Sequence, residues 1–173
     1  GIGFLNLAGY KSRHTFDLDS ESIVEGIRNA QTKARLREDG GGWGIRFTNG
    51  GQQGGYYEIF SGVEYATSTV ATREQLGTMT QFGDIAYGAS KTLIFSGGSG
   101  IPVAPLSITL KRGSKKDAYV VQISKIGVIE KQYEQKLLGY WALDEGIDTT
   151  LRDGSPYSKT GTISGNAKWL DPT

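Results

Sequence analysis

A chain of 173 residues with 19 basic and 18 acidic side chains, and a formal net charge of +1, lacks the strong positive field that draws a protein to nucleic acid. With no cysteine and a single histidine, it has no thiol catalysis, no disulfides and no metal centre built on a His/Cys cluster. Its length suffices for one domain of ordinary size plus an appendage, with a core able to fold without crosslinks.

The first ten residues, Gly1 to Tyr10, are apolar but far short of the ~20 residues of a membrane span. Without an initiator methionine they read as a cut end, with an apolar segment expected upstream. From Asp17 to Glu38 the positions Ile23, Val24, Ile27, Ala30 and Ala34 recur at helical spacing and predict one buried helix face. Asp17, Asp19 and Glu21 precede Lys33, Arg35 and Arg37, the order that a helix dipole favours. Asp19 or Ser20 is a suitable cap for a helix starting there. No proline occurs before Gly40, so the helix can also run back toward Phe4, and Gly40-Gly41-Gly42 stops it.

Beyond the stop, Trp43 to Phe47 and Tyr56 to Phe60 are strand-like, with turn residues from Thr48 to Gly55 between them. A hairpin is expected there. Val63 to Thr72 is a mixed Thr/Ala/Val run, and Arg73 to Leu76 reads as a short helix or a loop. Strands are then expected at Asp84 to Tyr87, Lys91 to Phe95, Leu106 to Arg112, Asp117 to Ser124 and Gly127 to Lys131. The succession from Leu93 to Ser124, separated by Gly- and Lys-rich turns, predicts a β-meander. Composition shifts after Lys131, which divides the chain into 1–131, a helix with a β-rich head, and 132–173, a linker and β extension. A tail this short does not ordinarily fold by itself without metal or crosslink.

Catalytic constellations are missing. His14 stands alone between Ser12 and Thr15 and reads as a solvated surface residue. Ser96-Gly97-Gly98-Ser99-Gly100 lacks the Lys-Ser/Thr of a phosphate loop and is followed by Ile101-Pro102 rather than a helix. Asp144, Glu145, Asp148 and Asp153 lie close together, as Ca²⁺ ligands do, but no Asp-x-Asp-x-Asp-Gly loop is present. They read as solvated acids, and no cofactor is expected. The basic run Lys111 to Lys116 reads as a solvated hairpin tip. Trp43, Trp141 and Trp169, with Tyr56, Tyr57 and Tyr140, are candidates either for a sugar-stacking platform or, by default for residues this large, for core anchors.

The helix with Ile27 to Ala34, the glycine stop, the strand Trp43 to Phe47, and the series Leu93 to Phe95, Ile108 to Leu110, Val121 to Ser124 and Gly127 to Ile129 resemble minor pilins and pseudopilins, in particular the GspH/FimT-like group of type IV pilus and type II secretion systems. The resemblance covers roughly residues 4–131. It implies an α+β fold, with a long N-terminal amphipathic helix packed on an antiparallel β-sheet or small β-sandwich and a C-terminal β extension. It also implies a structural, non-enzymatic subunit of an envelope or extracellular filament. Its partners are other pilin or pseudopilin subunits, and it meets the membrane only through a missing N-terminal helix. On this resemblance Ile23, Val24, Ile27, Ala30 and Ala34 form the assembly or core face. Residues 139–169, with Gly139-Tyr140-Trp141-Ala142-Leu143-Asp144-Glu145-Gly146, are similar to the opening of laminin-G-like, concanavalin-like domains. They raise the alternative of a carbohydrate- or protein-binding adhesin module with Trp141 and Trp169 as ligand-stacking aromatics.

Overall fold

The computed structural model describes residues 2–50, 54–114, 117–134, 150–151 and 161–162, with backbone alone for 2–9 and 151. The chain divides into two units, Gly1–Glu134 and Gln135–Thr173. The first is α+β: one helix, α1 (Ile2–Leu36), and two antiparallel four-stranded sheets. In the second, β9 (Thr150–Leu151) pairs antiparallel with β10 (Gly161–Thr162).

At ~1.5 Å per residue the helix is about 52 Å long. It runs unbroken to Leu36 because no proline intervenes. It then unwinds where Arg37 and Asp39 enter the left-handed region and a 3₁₀ turn, Glu38–Gly40, follows. The last turn is closed from outside, since the Gly98 N–H donates to the Ala34 carbonyl at 2.7 Å. Helix initiation lies far upstream of Asp17. Asp19 and Ser20 are therefore not caps but mid-helix residues, and the Ser20 hydroxyl bonds back to the Asp17 carbonyl at 2.7 Å.

The first sheet has the order β3-β2-β1-β5, built from β1 (Trp43–Asn49), β2 (Gly55–Ser61), β3 (Thr69–Gln75) and β5 (Ser90–Phe95). The expected hairpin is β1 and β2, with Ile45 opposite Ile59. The second sheet has the order β4-β6-β7-β8, from β4 (Thr80–Phe82), β6 (Leu106–Arg112), β7 (Ala118–Ile123) and β8 (Ile129–Glu134).

Three local expectations are corrected. Arg73 to Gln75 is neither helix nor loop but the end of β3, where β2 supplies the hydrogen-bond partners, and only Leu76 lies beyond the strand. Asp84 to Tyr87 is a turn region rather than a strand. It is organised by Asn49, whose side-chain N–H groups donate to the Phe82 and Ile85 carbonyls at 3.0 and 2.8 Å. The meander comprises β6, β7 and β8 alone. Leu93 to Phe95 pairs instead with β1 in the other sheet, with Leu93 opposite Ile45.

Both sheets and the helix contribute to one buried cluster, with Ile23 and Ile27 from α1, Ile45 and Phe47 from β1, Leu93 from β5, and Ile108 and Leu110 from β6. Close approach of helix and sheet depends on Gly26. A methyl group there would come within 2.7 Å of the Tyr57 ring.

Candidate functional site

The helix presents one face to the core. Phe16, Ser20, Ile23, Val24, Ile27, Ala30, Gln31 and Ala34 recur at intervals of three and four, and all are buried. This is the stripe that an amphipathic helix lays on its core. It includes all five residues expected from the apolar spacing, and adds Phe16 and two polar members.

Polar tethers fix the helix along this stripe. The Gln31 amide donates to the Gly100 carbonyl at 3.1 Å and the Gly127 carbonyl at 2.9 Å, so one side chain holds the loop after β5 and the β7–β8 turn. Asp19 accepts from the Gly77 N–H at 3.0 Å and from the Thr80 hydroxyl. Tyr119 donates to Asp17 at 2.9 Å, and Lys131 bonds both Ser20 and Glu21. The Tyr57 hydroxyl meets Ser22 at 3.0 Å. Gln31 is not among the face residues expected from apolar spacing; the signal that would find it is its place four residues after Ile27, on the same face. No local signal named its carbonyl partners, which lie 69 and 96 residues away.

Burial pushes the Tyr119 phenol up to about 12, and its hydrogen bond to the Asp17 carboxylate acts in the same direction. Asp19 is likewise raised above 3.8, because burial outweighs the hydrogen bonds from Thr80 and Gly77. The folded chain therefore holds the Asp19 proton more tightly than the unfolded chain does. Stability from this residue is present below pH ~4 and is lost as pH rises through the folded-state value. Asp19→Asn is expected to remove that decline. Urea midpoints measured from pH 3 to 7 should show the native protein losing stability relative to the variant upward from about pH 4, and superimposable profiles would refute the assignment.

From Tyr10 to Thr15 the helix packs only at its side. Of the side chains from Tyr10 to Thr15 none is buried. Tyr10 is 70% exposed and stacks on His14 with ring centroids 6.3 Å apart. Arg13 reaches the Tyr133 ring at 5.9 Å. His14 is exposed, and among the described residues no group of three or more His, Cys, Asp or Glu side chains is placed to hold a metal. Among the same residues no helix is long and apolar enough to cross a membrane.

The remaining candidates resolve by position. Trp43 is a core anchor, 2% exposed, and its indole N–H donates to the Glu38 carbonyl at 2.9 Å. Tyr57 is buried beside Phe47. Tyr56 lies under the Arg73 guanidinium at 3.8 Å, and Tyr65 under that of Arg46 at 4.1 Å. Each of these phenol rings thus has a face already occupied by a cation. The loop Ser96 to Gly100 abuts the carbonyl end of the helix through Gly98, where the dipole repels anions. In the basic run Arg112 is paired with Asp117, and Lys111 is exposed. Lys115, Lys116, Tyr140, Trp141, Asp144, Glu145, Asp148, Asp153 and Trp169 lie outside the described residues. Comparison with protein-family models, with curated proteins and with solved structures gives no match to this chain.

Proposed function

We propose that the chain is a structural subunit, a minor pilin or pseudopilin, of a type IV pilus or type II secretion filament, and that it assembles with other such subunits through α1. The observation that carries this reading is the unequal use of one helix. From Phe16 to Ala34 its apolar stripe is consumed by the two sheets, whereas from Tyr10 to Thr15 no side chain is fully buried and only Ser12 is part-buried. The turns before them, with Ile2, Phe4, Leu5 and Leu7, carry apolar residues suited to the helices of neighbouring subunits.

In this reading the head unit is displayed on an envelope or extracellular filament, and the helix joins it to the core of that filament. The chain performs no catalytic step and uses no resident cofactor. Because the protein has no cysteine, the test is clean. Tyr10→Cys and, as a control on the packed half of the helix, Leu18→Cys are introduced in the cells that make the protein, and sheared surface filaments are treated with a short thiol crosslinker. Crosslinked multimers from the Tyr10 position are the expected result. Monomers alone, or absence of the chain from the filament fraction, would sink the reading.

A further inference from the structure

The unclaimed feature of this fold is the edge strand β3. It closes one end of the first sheet, and all its residues are exposed except Thr72, which is half-buried. The other edge of that sheet, β5, is partly covered by the segment after it. Phe95 bridges to Pro102, and the Val103 N–H donates to the Ile94 carbonyl. In the second sheet the edge strand β4 has only three residues, and the edge strand β8 carries Glu130, Lys131 and Glu134. Charge and shortness are ordinary protections of an edge. β3 carries seven residues, Thr69–Gln75, with neither lysine nor proline, and its Arg73 is spent on Glu58 and the Tyr56 ring.

Its backbone is oriented for pairing. The Leu76 N–H donates to the Gly55 carbonyl at 2.9 Å, so by the alternation of an antiparallel ladder the amide and carbonyl of Arg73 point away from β2. Beside this edge, on the helix side of the sheet, lies a groove of about 680 Å³ bounded by Glu25, Asn29 and Thr32 of α1 and by Thr72 and Glu74 of β3. The side chains of Asn29, Thr32, Thr72 and Glu74 make no hydrogen bond or ion pair with another described residue. Glu25 pairs only with Arg28, at the surface. Arg28 lines the same groove and offsets Glu25, so the groove holds unspent hydrogen-bonding groups and one carboxylate without an ion-pair partner, that of Glu74.

We propose that β3 and this groove form a docking site for an extended segment of a partner protein, added as a fifth strand to the first sheet, with a lysine or arginine on its groove-facing side opposite Glu74. Main-chain bonds to the outward-pointing amide and carbonyl of Arg73 supply affinity, and alternate side chains entering the groove supply selectivity. A second copy of β3 is the poorer occupant. Two-fold antiparallel registers centred on Arg73 or Glu74 place like charges opposite each other, and the bulge between Thr72 and Val70 interrupts the register centred on Thr72. This inference is independent of the filament reading.

The test is a titration of the isotopically labelled full chain with the peptide Ac-Thr-Lys-Val-Lys-Thr-Lys-Val-NH₂, followed by amide NMR. Saturable shifts confined to β3 and the groove-facing turns of α1, with slowed exchange of the Arg73 amide, are expected. The same peptide with glutamate for lysine should bind at least tenfold more weakly, and the surface variant Glu74→Lys should reverse that preference. Absence of saturable shifts, shifts centred elsewhere, equal binding of the two peptides, or undiminished binding of a peptide with proline at its centre would each overturn the proposal. So would sedimentation showing dimers that Arg73→Pro dissociates, because the occupant would then be a second copy.

Discussion

Replacing Ile27 with aspartate is expected to unfold the first unit. Ile27 is fully buried on the helix face, among side chains from both sheets. The substitution removes a branched hydrocarbon from a packed site, which by itself costs about 2–5 kcal/mol. It also places a carboxylate where the core cluster is apolar, and an unpaired buried charge costs several kcal/mol more. Against a domain stability of about 5–15 kcal/mol the sum is decisive. Thermal unfolding followed by circular dichroism should show a lost or sharply lowered transition for Ile27→Asp, and a small shift for Ile27→Val. An unchanged transition in the aspartate variant would mean that this face does not support the fold.

Trp43→Ala is expected to cost about 3–5 kcal/mol, the range for deleting a large buried aromatic. The indole is buried at the first position of β1, where two interactions hold it and a third links the two residues that make them. Its N–H satisfies the Glu38 carbonyl, the Lys33 ammonium lies 4.6 Å from the ring centroid, and the same lysine pairs with Glu38 at 2.5 Å. Together they join the end of α1 to the start of the sheet. Trp43→Phe retains most of the packing and loses the hydrogen bond, so it should be destabilised by about 1–3 kcal/mol. Urea unfolding of the three proteins separates the two contributions. Equal stability of Trp43→Ala and the native chain would contradict the placement of the indole in the core.

The helix face was legible because its information is local. Apolar residues at Ile23, Ile27, Ala30 and Ala34 repeat with the period of the helix itself, so the stripe is visible without knowledge of what it packs against. The same holds for β1, β2, β6, β7 and β8, where β-branched and aromatic residues are bounded by glycine-containing turns. The ends of the helix were less legible. Asp17, Asp19 and Glu21 have the composition of a helix start, yet here they serve a continuous helix as anchors for Tyr119, for Gly77 and Thr80, and for Lys131. A carboxylate that tethers a distant loop and one that complements a dipole look alike in a sequence.

By itself, then, the amino-acid sequence determined the buried face of the helix, most of the strands, and the absence of thiol and His/Cys-cluster chemistry, all of which depend on residue type and short-range spacing. Only the tertiary structure decided that β5 leaves the meander to pair with β1, that Thr69 to Gln75 becomes an exposed edge strand, and that Gln31 spans two loops. The physical reason is common to all three. Strand pairing and buried hydrogen bonds are satisfied by partners outside the local window, and hydrophobic periodicity reports that a residue is buried without reporting which neighbour buries it.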